Sequence, residues 1–247
     1  MHNDEIYKLT STINQLLDRL EDAVLREKQF TADASHELRT PLSVIKGTLE
    51  VLIRKPREVD QYENKISYCI TEVNRMSILI DQLLMLARYE SGKIIPKVVQ
   101  CKLGDKINPV LFRLQNQIEL KNIVVQIENK TDNIFVKADP EMMDIIFENI
   151  ISNSIKYSEA ETNIKIKIEN NNSTVICSIE DEGGGMTQEQ AAKIFDRFYR
   201  ADESRNSKIT GNGLGLAIVK KLCDLQHIRI SINSVPGKTT LSLYFPQ

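Results

Sequence analysis

Apolar residues in the first ninety or so positions fall on helical stripes. From Ile6 they recur at alternating intervals of three and four, through Leu9, Ile13, Leu16, Leu20 and Ala23, which is the seam of a coiled coil. After Phe30 the register shifts but stays helical through Leu38, Leu42, Ile45, Leu49 and Leu52. One helix is therefore predicted from about Asp4 to Arg54, kinked about one turn above Pro41. Pro56 and the charged string KPREVD make a turn. A second seam then runs through Tyr62, Ile66, Cys69, Val73, Met76, Ile80, Leu83 and Ala87. A hairpin with an apolar stripe on each arm cannot bury both alone, which predicts a homodimer closing a four-helix bundle.

Helical periodicity stops at SGKIIPK, residues 91–97, and the pattern becomes mixed. Residues 123–128 (IVVQIE), 163–169 (NIKIKIE) and 174–180 (TVICSIE) alternate as strands do, between helical stretches at about 105–120, 140–157 and 213–226. The expectation is an α+β fold: a helical hairpin, then an α/β sandwich with one mixed sheet and helices on one face.

Composition narrows the function classes. Lys plus Arg number 32 against 34 Asp plus Glu, so bulk charge gives no case for nucleic acid. Cys69, Cys101, Cys177 and Cys223 lie too far apart for a metal cluster and are too few for a disulfide framework. No apolar run reaches the roughly 18 residues of a membrane span. The opening MHNDEIYKL starts directly in a helical pattern, as the cytoplasmic piece of a longer protein would.

Three separated segments suggest a nucleotide site. In 139–157, Asp139 can cap a helix and Pro140 can open it. Helical geometry then places Asn149, Asn153, Lys156 and Tyr157 on one face and Met143, Phe147, Ile150, Ile151 and Ile155 on the other. Two asparagines one turn apart offer neutral oxygens to Mg²⁺, Lys156 a charge for phosphate, and Tyr157 a ring or hydroxyl. Taken alone, this fits an ordinary solvated face equally well. In IEDEGGGM a strand ends at Asp181, whose carboxylate can accept from an exocyclic amine such as that of adenine, beside Gly183, Gly184 and Gly185. In TGNGLGLAIVKKL, Gly211, Gly213 and Gly215 open a helix whose free amides suit an anion. The polar stretch before it, residues 201–210, reads as a lid over phosphates. Between these pieces, Phe195 and Phe198 have the helical spacing of core anchors, and Arg200 is a candidate for the terminal phosphate.

His36 stands apart from His2 and His227 by its neighbours: Glu37 beside it and Thr40 one turn on, within FTADASHELRTPL. A neutral imidazole is a competent nucleophile for phosphorus, and a carboxylate holding the other ring proton fixes the tautomer.

In this order, SHELRTPL, ENIISNSIKYS, DEGGG, IFDRFYR and GNGLGL resemble the H-box, N-box, first glycine box, F-box and second glycine box of the sensor histidine kinases of two-component signalling. The likeness spans nearly the whole chain. It implies a sandwich of the Bergerat type shared with gyrase and chaperone ATPases. His36 would be the phosphoacceptor, Glu37 its base, and Thr40 the residue that orients water in dephosphorylating the partner. ATP would be held by Asn149, Asn153, Lys156, Tyr157, Asp181, Gly183, Gly185, Arg200, Gly211, Gly213, Leu214 and Gly215, with Mg²⁺ on the two asparagines. The partner implied is the receiver domain of a response regulator. DEIYKLTSTINQLLDRL is similar to the last helix of a HAMP relay, implying a membrane-anchored parent and a division into a relay coil (1–27), a phosphotransfer hairpin (28–92) and a catalytic domain (97–247). The nucleotide boxes by themselves would also suit a clamp ATPase or a nucleotide-binding scaffold; SHELRTPL would then have no role. The chain departs from the family pattern at Gln226 and His227, where many relatives carry a glycine pair, and at Ser154, which replaces an alanine on the core face.

Overall fold

The computed structural model describes residues 2–129, 134–171, 174–201 and 211–246. Of the expected lid, 202–210 lies outside them. The chain divides into two compact units, Met1–Ile80 and Asp81–Gln247.

The first unit contains helix α1 (His2–Ile53) and most of α2 (Val59–Glu90). α1 runs unbroken across Pro41. Residues 54–58 return the chain into α2, making the expected hairpin. The second seam divides into two rows. Cys69 is buried, and Tyr62, Met76 and Leu83 are half-buried, whereas Ile66, Val73, Ile80 and Ala87 are exposed. Leu79 and Leu86 are also buried, a row that the sequence reading did not include. A lone hairpin covers one flank of each helix and leaves the other apolar flank open. On α1, Leu42 and Leu49 are likewise exposed, beside an apolar groove that includes Ile45 and Ile53.

The second unit takes in the last turns of α2. Its elements continue as β1 (Val99–Lys102), α3 (Gly104–Arg113), α4 (Gln115–Leu120), β2 (Val124–Asn129), β3 (Phe135–Ala138), α5 (Pro140–Tyr157), β4 (Asn163–Asn170), β5 (Thr174–Asp181), α6 (Gln188–Lys193), α7 (Gly215–Leu225), β6 (Arg229–Val235) and β7 (Lys238–Pro246). The mixed sheet expected from the sequence is present, and among the described residues a second, two-stranded sheet accompanies it. The main sheet has order β2-β4-β5-β7-β6, and β1 pairs with β3 in a separate antiparallel ribbon. β2 and β4 run parallel; the other pairs of the main sheet are antiparallel.

Alternation builds the core. Ile164, Ile166 and Ile168 of β4 and Val175, Cys177 and Ile179 of β5 are buried in turn. α5 packs on β5 and between α3 and α7, sealing Met143, Phe147, Ile150 and Ile151. Burial of each such side chain contributes about 1.5–3 kcal/mol. Two ion pairs join α3 to α5, Lys106 to Asp144 at 3.0 Å and Arg113 to Glu148 at 2.8 Å. They orient more than they stabilise, since exposed pairs contribute about 0–1 kcal/mol. The apolar face of α5 is thereby committed to the core, and its polar face is left for chemistry.

Candidate nucleotide site and phosphoacceptor helix

Asp139 fixes the start of α5. Its Oδ1 accepts the amides of Glu141 at 3.0 Å and Met142 at 3.1 Å, with Pro140 as the first helical residue. Its Oδ2 accepts the Lys97 amide at 2.7 Å, and its own N–H donates to Gln226 Oε1 at 2.6 Å. Gln226 Nε2 donates in turn to Leu222 O at 3.1 Å. The departure at Gln226 thus joins the entry of α5 to the exit of α7. His227 follows with φ +57°, taking the left-handed conformation that a glycine adopts without strain, so the turn survives the exchange.

Asn149, Asn153 and Lys156 are half-buried, and Tyr157 is exposed, on the face of α5 opposite the core. Asn149 Nδ2 donates to Ile145 O at 2.9 Å, which directs Oδ1 outward, 2.7 Å from where a Cβ on Gly215 would stand. Asn153 Nδ2 is 3.8 Å from the same point. Lys156 Nζ occupies the space of a side chain at Gly211 and lies 5.0 Å from the centroid of the Tyr157 ring. The asparagine helix and the second glycine box, more than fifty residues apart, therefore meet. α7 begins at Gly215, and its N-cap, Leu214, makes no side-chain cap, leaving the first amides of the helix for an anion. The Leu214 side chain is fully buried, so it can offer a ligand its backbone but not its side chain.

At the other end, Asp181 is buried at the close of β5. Its Oδ1 accepts the Gly183 amide at 3.2 Å, and the Ser154 hydroxyl hydrogen-bonds the same carboxyl. Burial pushes the Asp181 carboxyl up to about 6, with a contribution from the Glu180 charge, while the bonds from Ser154 and Gly183 hold it down. Ser158 forms a β-bridge with Gly183. A Cβ at Gly183 would stand 2.9 Å from both Asp181 Oδ1 and Tyr157 O, so the backbone here is as close as glycine allows. Gly185 serves packing: a Cβ there would lie 2.2 Å from Val235 O.

Phe195 and Phe198 are half-buried, but they lie beyond the end of α6 in turns, a correction to the helical spacing read from the sequence. Phe198 adopts φ +60° and donates its amide to Gly213 O at 3.0 Å, so its backbone supports the glycine box directly. Arg200 is half-buried near the end of the same described segment. Sequence reading missed this part of Phe198, and it placed Ser154 on the core face without seeing that its hydroxyl reaches Asp181. The position of Ser154, one turn before Ser158 and across from the end of β5, is the signal, but it has meaning only once the strand is in place.

His36 is exposed on α1 and Glu37 is half-buried. Among the described residues no hydrogen bond joins the His36 ring to Glu37. Thr40 Oγ1 donates to the His36 carbonyl at 3.2 Å, a back-bond one turn before Pro41. Asn149 fits a hard cation, with its amide nitrogen committed and its oxygen turned toward the glycine box. No cluster of three His, Cys, Asp or Glu suited to a metal occurs among the described residues.

Two family models match. Residues 26–92 match the His Kinase A (phospho-acceptor) domain, and residues 138–247 match the histidine kinase-, DNA gyrase B- and HSP90-like ATPase. Sensor histidine kinase YkoH of Bacillus subtilis (strain 168) is 34% identical over 96% of the chain and 51% of its own length. Signal transduction histidine-protein kinase ArlS of Staphylococcus aureus (strain USA300) is 33% identical over 98% of the chain and 54% of its own. This chain belongs to the sensor histidine kinases. It spans about half the length of these relatives. The fold agrees: histidine kinase AdeS of Acinetobacter baumannii superposes with TM-score 0.69 at 23% identity, over 85% of this chain and 97% of that one. Histidine kinase ThkA in complex with the response regulator protein TrrA gives 0.74 at 21% identity, over 88% and 61%. No helix among the described residues is long and apolar enough to cross a membrane.

Proposed function

We propose that this chain binds ATP with Mg²⁺, transfers the γ-phosphoryl group to His36, and passes it to an aspartate of a response regulator. The observation that carries the reading is the meeting of Lys156 and Asn149 with Gly211 and Gly215, a cradle in which any side chain at either glycine would collide. Asp181 reads the exocyclic amine of adenine, and the uncapped amides of α7 and the Lys156 ammonium take the phosphates. Asn149 and Asn153 would hold Mg²⁺, which supplies charge neutralisation on the phosphate oxygens.

In the transfer, a ring nitrogen of His36 attacks the γ-phosphorus in line. The N–P bond forms as the bond to the β–γ bridging oxygen breaks, ADP leaves, and the proton on the other ring nitrogen passes to Glu37 or water. For this, the catalytic domain must carry the γ-phosphorus to His36, and positioning supplies most of the rate. Rotation or bending of the upstream coil at Pro41 would control access. Thr40 orients water when the enzyme acts as a phosphatase on its regulator. The ThkA–TrrA complex supports a regulator as partner. The open apolar flanks of α1 and α2 support a homodimer, and the similarity to longer kinases supports a membrane-anchored parent with a relay helix at 1–27. Incubation with γ-labelled ATP should give acid-labile, base-stable label that is absent from His36→Gln; label persisting in that variant would overturn the reading.

A further inference from the structure

We propose that Lys121, which belongs to none of the sequence boxes, is a positioning residue of the nucleotide site, holding the end of α5 for both the phosphate and the adenine ends of the ligand. The inference rests on the reading of this site as an ATP site. Lys121 is the C-cap residue of α4. Its Nζ donates to Ile155 O at 2.8 Å, Lys156 O at 2.8 Å and Ser158 O at 2.7 Å. An ammonium has three N–H groups, so all of its donors are committed to one helix end. These acceptors include last-turn carbonyls that a helix leaves unpaired, and they carry the partial negative charge of its C-terminus. Lys121 O also accepts the Glu161 amide at 2.8 Å, so one residue brackets 155–161.

The clamp acts where the site needs rigidity. Lys156, held by its carbonyl, sends its ammonium against Gly211. Ser158, held the same way, bridges Gly183, whose amide donates to Asp181. The Ser158 hydroxyl is buried without a hydrogen-bond partner, so backbone contacts, not its side chain, keep that residue in place. Burial lowers the pKa of the Lys121 ammonium; the answering charge comes from carbonyl dipoles. These three bonds converge on a single helix end from another element.

The test compares Lys121→Met, Lys121→Arg and a destabilised control, Val136→Ala, a buried site in the β1–β3 ribbon chosen to lower Tm without touching the nucleotide residues. Equilibrium affinity for ATP with Mg²⁺ should fall about ten-fold in Lys121→Met, while the labelling rate at saturating ATP stays within about two-fold, the split that separates positioning from chemistry. Lys121→Arg should recover part of the affinity, and Val136→Ala should bind as wild type. If Lys121→Met does not fold, Lys121→Gln should show the same loss. Affinity within about two-fold of wild type in the folded Lys121 variant, or an equal loss in the control, overturns the proposal. A wild-type chain that binds ATP but forms no phosphohistidine would defeat the phosphotransfer reading, and the binding comparison would still decide the role of Lys121.

Discussion

Lys156 Nζ stands 2.1 Å from the place a Cβ would take on Gly211, so this lysine and the second glycine box share one volume. The obstructing atom is the end of a flexible side chain. Gly211→Ala should therefore leave Tm nearly unchanged but displace the ammonium, weakening ATP binding about ten-fold. Gly213→Ala differs in kind: φ is +69° and the new Cβ would stand 2.6 Å from the Phe198 backbone, which cannot yield. It should cost about 1–3 kcal/mol in folding stability by urea denaturation. Equal Tm losses for the two variants would contradict this distinction.

Asp181 gives a pH signature. Its carboxyl rises from 3.8 to about 6 in the fold, chiefly through burial. Between those values the folded chain holds a proton that the unfolded chain has lost, so this group's contribution to stability falls as pH rises through the window and is flat above it. In the proposed role, Asp181 accepts the adenine amine most strongly when ionised, while a protonated carboxyl also turns an O–H toward the ligand. MgATP affinity should drop about four-fold on going from pH 7.5 to 5.5, and Asp181→Asn should abolish both the dependence and most of the affinity. Titration calorimetry at the two pH values checks it.

The turn after α7 offers two opposite stability effects. His227→Gly relieves a left-handed non-glycine residue and should leave stability unchanged or raise it by up to about 1 kcal/mol, the strain gain offset in part by unfolded-chain entropy. Gln226→Ala strands the buried Asp139 amide and should cost about 1–3 kcal/mol. Chemical denaturation of both variants decides whether the departures from the family pattern are a working pair.

Dimerisation should depend on the open row of α2. Sedimentation should show a dimer at micromolar concentration, and Val73→Glu with Ile80→Glu, on exposed apolar positions, should make it a monomer. A wild-type monomer at that concentration would remove the four-helix bundle.

Period and punctuation determined the long hairpin, the three alternating strands, the capped start at Asp139 and the two faces of α5, because each is a local property of consecutive residues. The five boxes, met in order, were enough to identify the family. What the sequence could not determine is every relation that crosses the chain. The seam of α2 read as one stripe and proved to be two rows, because the sequence records which residues are apolar and only packing decides which flank is covered. The β1–β3 ribbon was missed because its strands are four residues each and their partners lie far apart in sequence. Lys121 carries no local signal, since a lysine in a polar turn reads as solvated until the end of α5 is brought to it. The hydrogen bond from the Asp139 amide to Gln226 and the one from Ser154 to the Asp181 carboxyl likewise join residues that only tertiary structure makes neighbours; the first fixes the start of the helix that carries the asparagines, and the second offsets part of the rise that burial imposes on Asp181.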